Sequence, residues 1–148
     1  MANYHFTILI RDAAHDTENL EDRLFEAGCD DALLCFHNHT VYLEFDREAE
    51  SAQAAVSSAL DNIRQAGFQE AVLQENGFAT LSEMAARAGL SRAALSNYAR
   101  GQRGTDFPAP MYGIGSNSAL YSWPEVASWL YRNGQLAKPQ FDVAQVRC

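Results

Sequence analysis

Arg92, Ser96, Asn97 and Arg100 fall at positions that share one face of a helix, with Ala93 beside them. Their types suit the edges of nucleic-acid bases. An arginine fork donates two hydrogen bonds to guanine, an asparagine amide pairs with adenine, and a serine hydroxyl suits phosphate or either base. Ala93 is small enough to let such a helix approach closely. Arg103, shortly after it, is placed to hold phosphate.

Such a face needs a scaffold, and the flanking residues supply one. In TLSE the Thr80 hydroxyl can bond an amide near Glu83 while Glu83 reaches back, a capping box that starts a helix ending near Arg87. Gly89 supplies a sharp turn, and Ser91 caps the second helix, SRAALSNYAR. Met84, Ala88, Leu90, Leu95 and Tyr98 are spaced to pack one helix across the other, with small Ala85 at the close approach. An ordinary helical hairpin with a solvated polar face is the plainer alternative.

Downstream, the strand-like pieces MYG and ALYS flank the glycine- and serine-rich GIGSNS, a hairpin or wing. Ser116, Asn117 and Ser118 at its tip could reach phosphate or the minor groove. Ser122 and Glu125 form a second capping box, and Val126, Trp129 and Leu130 give the next helix an apolar stripe. Trp123 and Trp129 are expected to anchor the core and not to stack on bases.

The whole chain has 148 residues and a net charge of −8, an awkward total for a partner of a polyanion. The charge is unevenly spread. Residues 1–79 carry four basic and fifteen acidic side chains, net −11, and residues 80–148 carry seven and four, net +3. From Arg87 to Arg103 there are four arginines and no acid. Such asymmetry points to separate jobs for the two halves.

The first half alternates strand and helix signals. YHFTILI reads as a strand; Asp16 or Thr17 can cap a helix carrying Leu20, Leu24 and Ala27, and Gly28 ends it. DALLCF and VYLEF read as a hairpin about HNHT. A long alanine-rich helix follows Asp46, with Glu48 and Glu50 in its first turn, and stops at Gly67. FQEAVLQE, residues 68–75, supplies a last strand. The order β-α-β-β-α-β is that of a ferredoxin-like domain, whose uncovered sheet face is expected to take part in dimerisation.

Catalytic signals are lacking. The first half has no glycine-rich phosphate loop, and no nucleophile in it stands next to a base in sequence. Asp30, Asp31, Glu44, Asp46, Glu48 and Glu50 read as solvated loop ends and helix starts, or as an acidic docking face for a basic partner. Cys35, His37 and His39 alternate as metal ligands could, but a hairpin tip lies among them and no fourth ligand is evident. Cys29, Cys35 and Cys148 form no CxxC pair and are expected as free thiols. With neither a signal peptide nor a membrane span in view, a cytoplasmic protein is expected.

The segment 78–134 resembles the winged helix-turn-helix of the MerR and AlpA/excisionase type. LSEMAARAGLSRAALSNYARG matches the two-helix pattern, and FPAP followed by YSWPEVASWL matches the wing entry and closing helix. The resemblance implies sequence-specific binding of double-stranded DNA, with the second helix in the major groove and the wing on the flanking backbone. The tip departs from that pattern in lacking arginine and lysine. The first half loosely resembles the N-terminal domains of small bacterial regulators encoded beside toxin genes.

The expected fold is therefore α+β: a ferredoxin-like domain over 1–77, a winged helix-turn-helix over 78–134 and a tail over 135–148. A homodimeric, non-enzymatic transcription regulator without cofactor is the leading expectation. An antitoxin-like module whose acidic half binds a basic partner comes second, and a small enzyme or ligand sensor on the open sheet, near His5 or Arg11, comes third.

Overall fold

The computed structural model describes residues 1–101, 106–115 and 118–148. The chain is α+β and divides into two units, residues 1–74 with 146–148 and residues 75–145. Drawn at these bounds, the first unit carries five basic and fourteen acidic side chains, net −9. The second carries six and five, net +1, so the positive balance expected for it shrinks once Glu75 joins it and Arg147 leaves.

In the first unit, alternation in ANYHFTILI builds β1 (Ala2–Ile10), with Tyr4, Phe6, Ile8 and Ile10 buried on one face. The first helix does not begin where expected. Thr17 instead closes a turn, its Oγ1 accepting from the Ala14 amide at 2.8 Å, and α1 (Leu20–Glu26) starts after Asn19 with no side-chain cap. Gly28 follows at φ 115°, and a Cβ there would lie 2.9 Å from the Asn62 side chain, so both backbone and space call for glycine.

β2 (Ala32–His37) turns into β3 (Thr40–Ala49) through Asn38 and His39, both at positive φ, the pattern of a two-residue hairpin loop. β3 runs past the expected VYLEF and takes in Glu48. Ser51 then caps α2 (Ala52–Gln65), its Oγ accepting from the Ala54 amide at 3.0 Å, so neither Glu48 nor Glu50 lies in a helical first turn. The last strand, β4 (Ala71–Leu73), is shorter than expected and gives way to a 3-10 turn at Gln74–Asn76. Burial would raise the pKa of Asp12, but amide hydrogen bonds from Gln69 and Glu70 outweigh it and hold the carboxyl below its ordinary value.

The sheet is antiparallel with order β2-β3-β1-β4. Register sets Phe6 opposite Phe45 and Ile8 opposite Leu43 on the face that α2 covers, and the two phenyl rings stack at 5.1 Å. On the other face His5 lies opposite Asp46, Thr7 opposite Glu44 and Leu9 opposite Tyr42. His5 Nδ1 is 3.1 Å from Asp46 Oδ1.

One buried cation ties this unit together. Arg47 of β3 directs Nε and Nη2 to the two Asp31 carboxylate oxygens at 2.7 and 2.8 Å. Nη2 also donates to the Gly28 carbonyl, and Nη1 donates to Ser58 Oγ and Asn62 Oδ1. All five guanidinium donors are used, and the group lies over the Phe45 ring. The Asp31 hydrogen bonds push its already high pKa further up. Arg23 acts similarly at the end of α2, giving Nε and Nη2 to the Ala66 carbonyl.

In the second unit, β5 (Phe78–Ala79) leads into α3 (Leu81–Ala88) and α4 (Arg92–Ala99). β6 (Tyr121–Ser122) follows, then α5 (Trp123–Arg132) and α6 (Lys138–Ala144). β5 was not foreseen, and it pairs with β6, placing Phe78 opposite Ser122. Residues after Gly134, expected as a tail, form α6, where Phe141 stacks on Tyr131 at 4.3 Å. Trp123, Trp129, Met84, Leu95, Val126 and Leu130 are fully buried in one cluster.

Candidate nucleic-acid interface

Local hydrogen bonding fixes both helices of the candidate interface. Thr80 Oγ1 accepts from the Glu83 amide at 3.3 Å, and the Glu83 carboxylate accepts from the Thr80 hydroxyl, not from its amide. Gly89 ends α3 at φ 69°, a left-handed conformation with nothing near its absent Cβ, so the turn and not space calls for glycine. Ser91 Oγ accepts from the Ala94 amide at 3.1 Å and starts α4.

The rotation of α4 about its axis is set by Leu95, its one buried residue. Tyr98 assists, with its ring 4.9 Å from that of Trp129. Ala93 and Arg100 are exposed on the side away from Leu95 and Arg92 is exposed on its flank, while Ser96 and Asn97 are half-buried and so less bare than expected. Arg100 Nη2 donates to Asn97 Oδ1 at 3.1 Å. The amide and the guanidinium are thereby held side by side. Ser91, Ala93, Ala94, Asn97 and Tyr98 line a shallow concavity of about 270 Å³ along α4.

The other cations of the unit have different employment. Arg87 lies over the Trp123 ring at 5.3 Å, and its buried Nη1 has no hydrogen-bond partner among the described residues. Arg132 pairs with Asp106 at 3.4 Å and Lys138 with Asp142 at 2.9 Å. Asp106 also accepts from Trp129 Nε1 at 2.8 Å, and that hydrogen bond is the main reason its carboxyl is held below the ordinary value. Arg103 lies outside the described residues. The positive character of this face thus rests on Arg92 and Arg100 among the described residues.

The hairpin expected as a wing closes at one bridge, Tyr112 with Leu120. Beyond it the ALYS segment leaves MYG and pairs with β5. Ser118 is exposed, whereas Ser116 and Asn117 lie outside the described residues. The hairpin displays apolar groups that the sequence reading passed over: Met111, Tyr112 and Ile114 are exposed, Ile114 to 77%. Phe78 stands edge-on to Tyr112 at 5.0 Å. Ile114 between two glycines at positive φ was the available signal.

Elsewhere, a concavity of about 330 Å³ in the first unit is lined by Leu9, Ile10, Arg11, His39 and Val72 among others. His5 is engaged with Asp46 instead. Cys35 and His37 lie on β2 and His39 in the turn, and among the described residues no group of three His, Cys, Asp or Glu side chains could hold a metal. Burial pushes the Cys29 thiol up to about 11. Among the described residues no helix is long and apolar enough to cross a membrane.

Comparison with known proteins returned no matching family model, no matching curated protein and no matching solved structure.

Proposed function

We propose that the chain is a sequence-specific DNA-binding transcription regulator, its second unit a winged helix-turn-helix of the MerR/AlpA type and its first a ferredoxin-like interaction domain. The observation that carries this reading is the face of α4. Leu95 faces the core, and the rest of the helix surface offers Arg92, Ser96 and the joined Asn97–Arg100 pair, donors of the types that read base edges in the major groove. Small Ala93 permits close approach, and Ser91 retains a hydroxyl donor for phosphate after capping α4. Apolar Tyr112 and Ile114 suit contact with sugars or a groove wall better than with phosphate.

With net charge +1 on the reading unit and −9 on the other, non-specific attraction is weak and base contacts carry most of the affinity. Selection from random duplexes at moderate salt tests this directly. An enriched motif is expected, with Asn97→Ala relaxing one base position and Arg103→Ala weakening all sequences alike. Recovery of no motif would remove the reading.

A second reading keeps a specific observation of its own. Glu44, Asp46 and Glu48 share the uncovered face of β3, a surface for a basic protein partner such as a toxin. Co-purification of such a partner with a chain lacking residues 80–148 would favour it.

A further inference from the structure

The two edges of the sheet in the first unit are finished differently. β4 is three residues long, a common way of keeping an edge from pairing with another chain. β2, the other outer strand, is six residues long and contains neither proline nor a charged side chain. From Ala32 through Leu43 the sequence has no Asp, Glu, Lys or Arg, within a unit carrying fourteen acids. Leu33 is 63% exposed and Phe36 50%, and Phe25 of α1 adds a third exposed apolar side chain. A concavity of about 230 Å³ lies between α1 and β2, lined by Leu24, Phe25, Ala32 and Leu34 among others.

We propose that β2 pairs antiparallel with β2 of a second copy across a two-fold axis, joining two four-stranded sheets into one of eight strands. Self-complementarity selects the second copy as occupant. Centred on Leu34, this pairing sets Phe36 of each chain opposite Ala32 of the other, at the α1–β2 concavity, so one molecule carries both projection and recess.

Charge decides between edge and face. Two uncovered faces stacked at about 10 Å would bury the carboxylates of Glu44, Asp46 and Glu48 against their own copies. Pairing at the edge leaves the two β3 strands about 14 Å apart, three strand spacings, with the carboxylates in water. That distance exceeds the screening length of about 8 Å at physiological salt. A basic partner would instead be drawn to the acidic face, not to an uncharged edge strand. The inference does not rest on DNA binding and stands or falls apart from it.

Sedimentation of the full chain across the micromolar range tests it, with Phe36→Lys at the edge and Val72→Arg on the uncovered face near the opposite edge. Both side chains are exposed, so circular dichroism should be unchanged. The wild type and Val72→Arg should sediment at twice 16.4 kDa, and Phe36→Lys at 16.4 kDa. Leu33→Lys serves as a second edge variant should Phe36→Lys misfold. A monomeric wild type overturns the proposal, as does a dimer that survives the folded edge variant or is lost in folded Val72→Arg.

Discussion

Arg47 and Arg100 are the same side chain put to opposite uses, and the contrast separates the two units. Arg47 spends every donor inside its own unit, on Asp31, Gly28, Ser58 and Asn62, and has nothing left for a partner. Arg100 is exposed, and among the described residues its side chain makes one hydrogen bond, to Asn97, which leaves most of its fork for an outside acceptor. Arg47 and Arg23 of the acidic unit are used for cohesion; in the near-neutral unit Arg87, Arg132 and Lys138 are engaged as well, and Arg92 and Arg100 are displayed. A count of charges along the sequence cannot make that distinction, because it depends on which donors the fold consumes.

The sharpest way to break the contrast is Arg47→Met. It strands the Asp31 carboxylate and three other acceptors, and a loss of about 3–5 kcal/mol in urea unfolding is expected. Arg100→Ala should do the reverse, changing stability by less than about 0.5 kcal/mol. In a titration with the selected duplex it should cost about 1–3 kcal/mol of specific binding. If Arg100→Ala destabilised the fold as much as Arg47→Met, the division between cohesive and displayed arginines would be wrong.

A smaller effect, about 1 kcal/mol of stability, is expected for Ser91→Ala through loss of the α4 cap. Ser91→Asp should restore the cap while placing a negative charge against phosphate, so stability returns and DNA affinity does not. Smallest is the response to acid at Asp106. Its folded pKa lies below the ordinary 3.8, so its contribution is present above that value and is lost as pH falls through the depressed one. Asp106→Asn should flatten this part of the acid unfolding curve and leave the neutral region nearly unchanged.

Which features could be read in advance follows from the range of the interactions that make them. The caps at Thr80, Ser91 and Ser122 each span three residues, and the turn at Gly89 is a property of one, so α3, α4 and α5 were legible. The β-branched and aromatic types over 4–10 and the alternation over 41–45 likewise exposed β1 and β3. Arg47 was invisible because its partners lie 11 to 19 residues away, brought together only when α2 packs on the sheet. β5 pairs with a strand more than forty residues further on, and two residues hold no periodicity to detect. At the site, residue types on α4 were readable. The Asn97–Arg100 contact and the diversion of Arg87, Arg132 and Lys138 to other tasks were not, since each depends on neighbours in space.

The chain has two tryptophans, and both belong to the second unit: Trp123 beneath the Arg87 guanidinium and Trp129 bonded to Asp106. Indole emission is therefore a private optical signal of the helical unit, and the acidic sheet unit contributes none of it. Denaturation followed at once by fluorescence and by far-ultraviolet dichroism would show whether the two units melt together or one at a time.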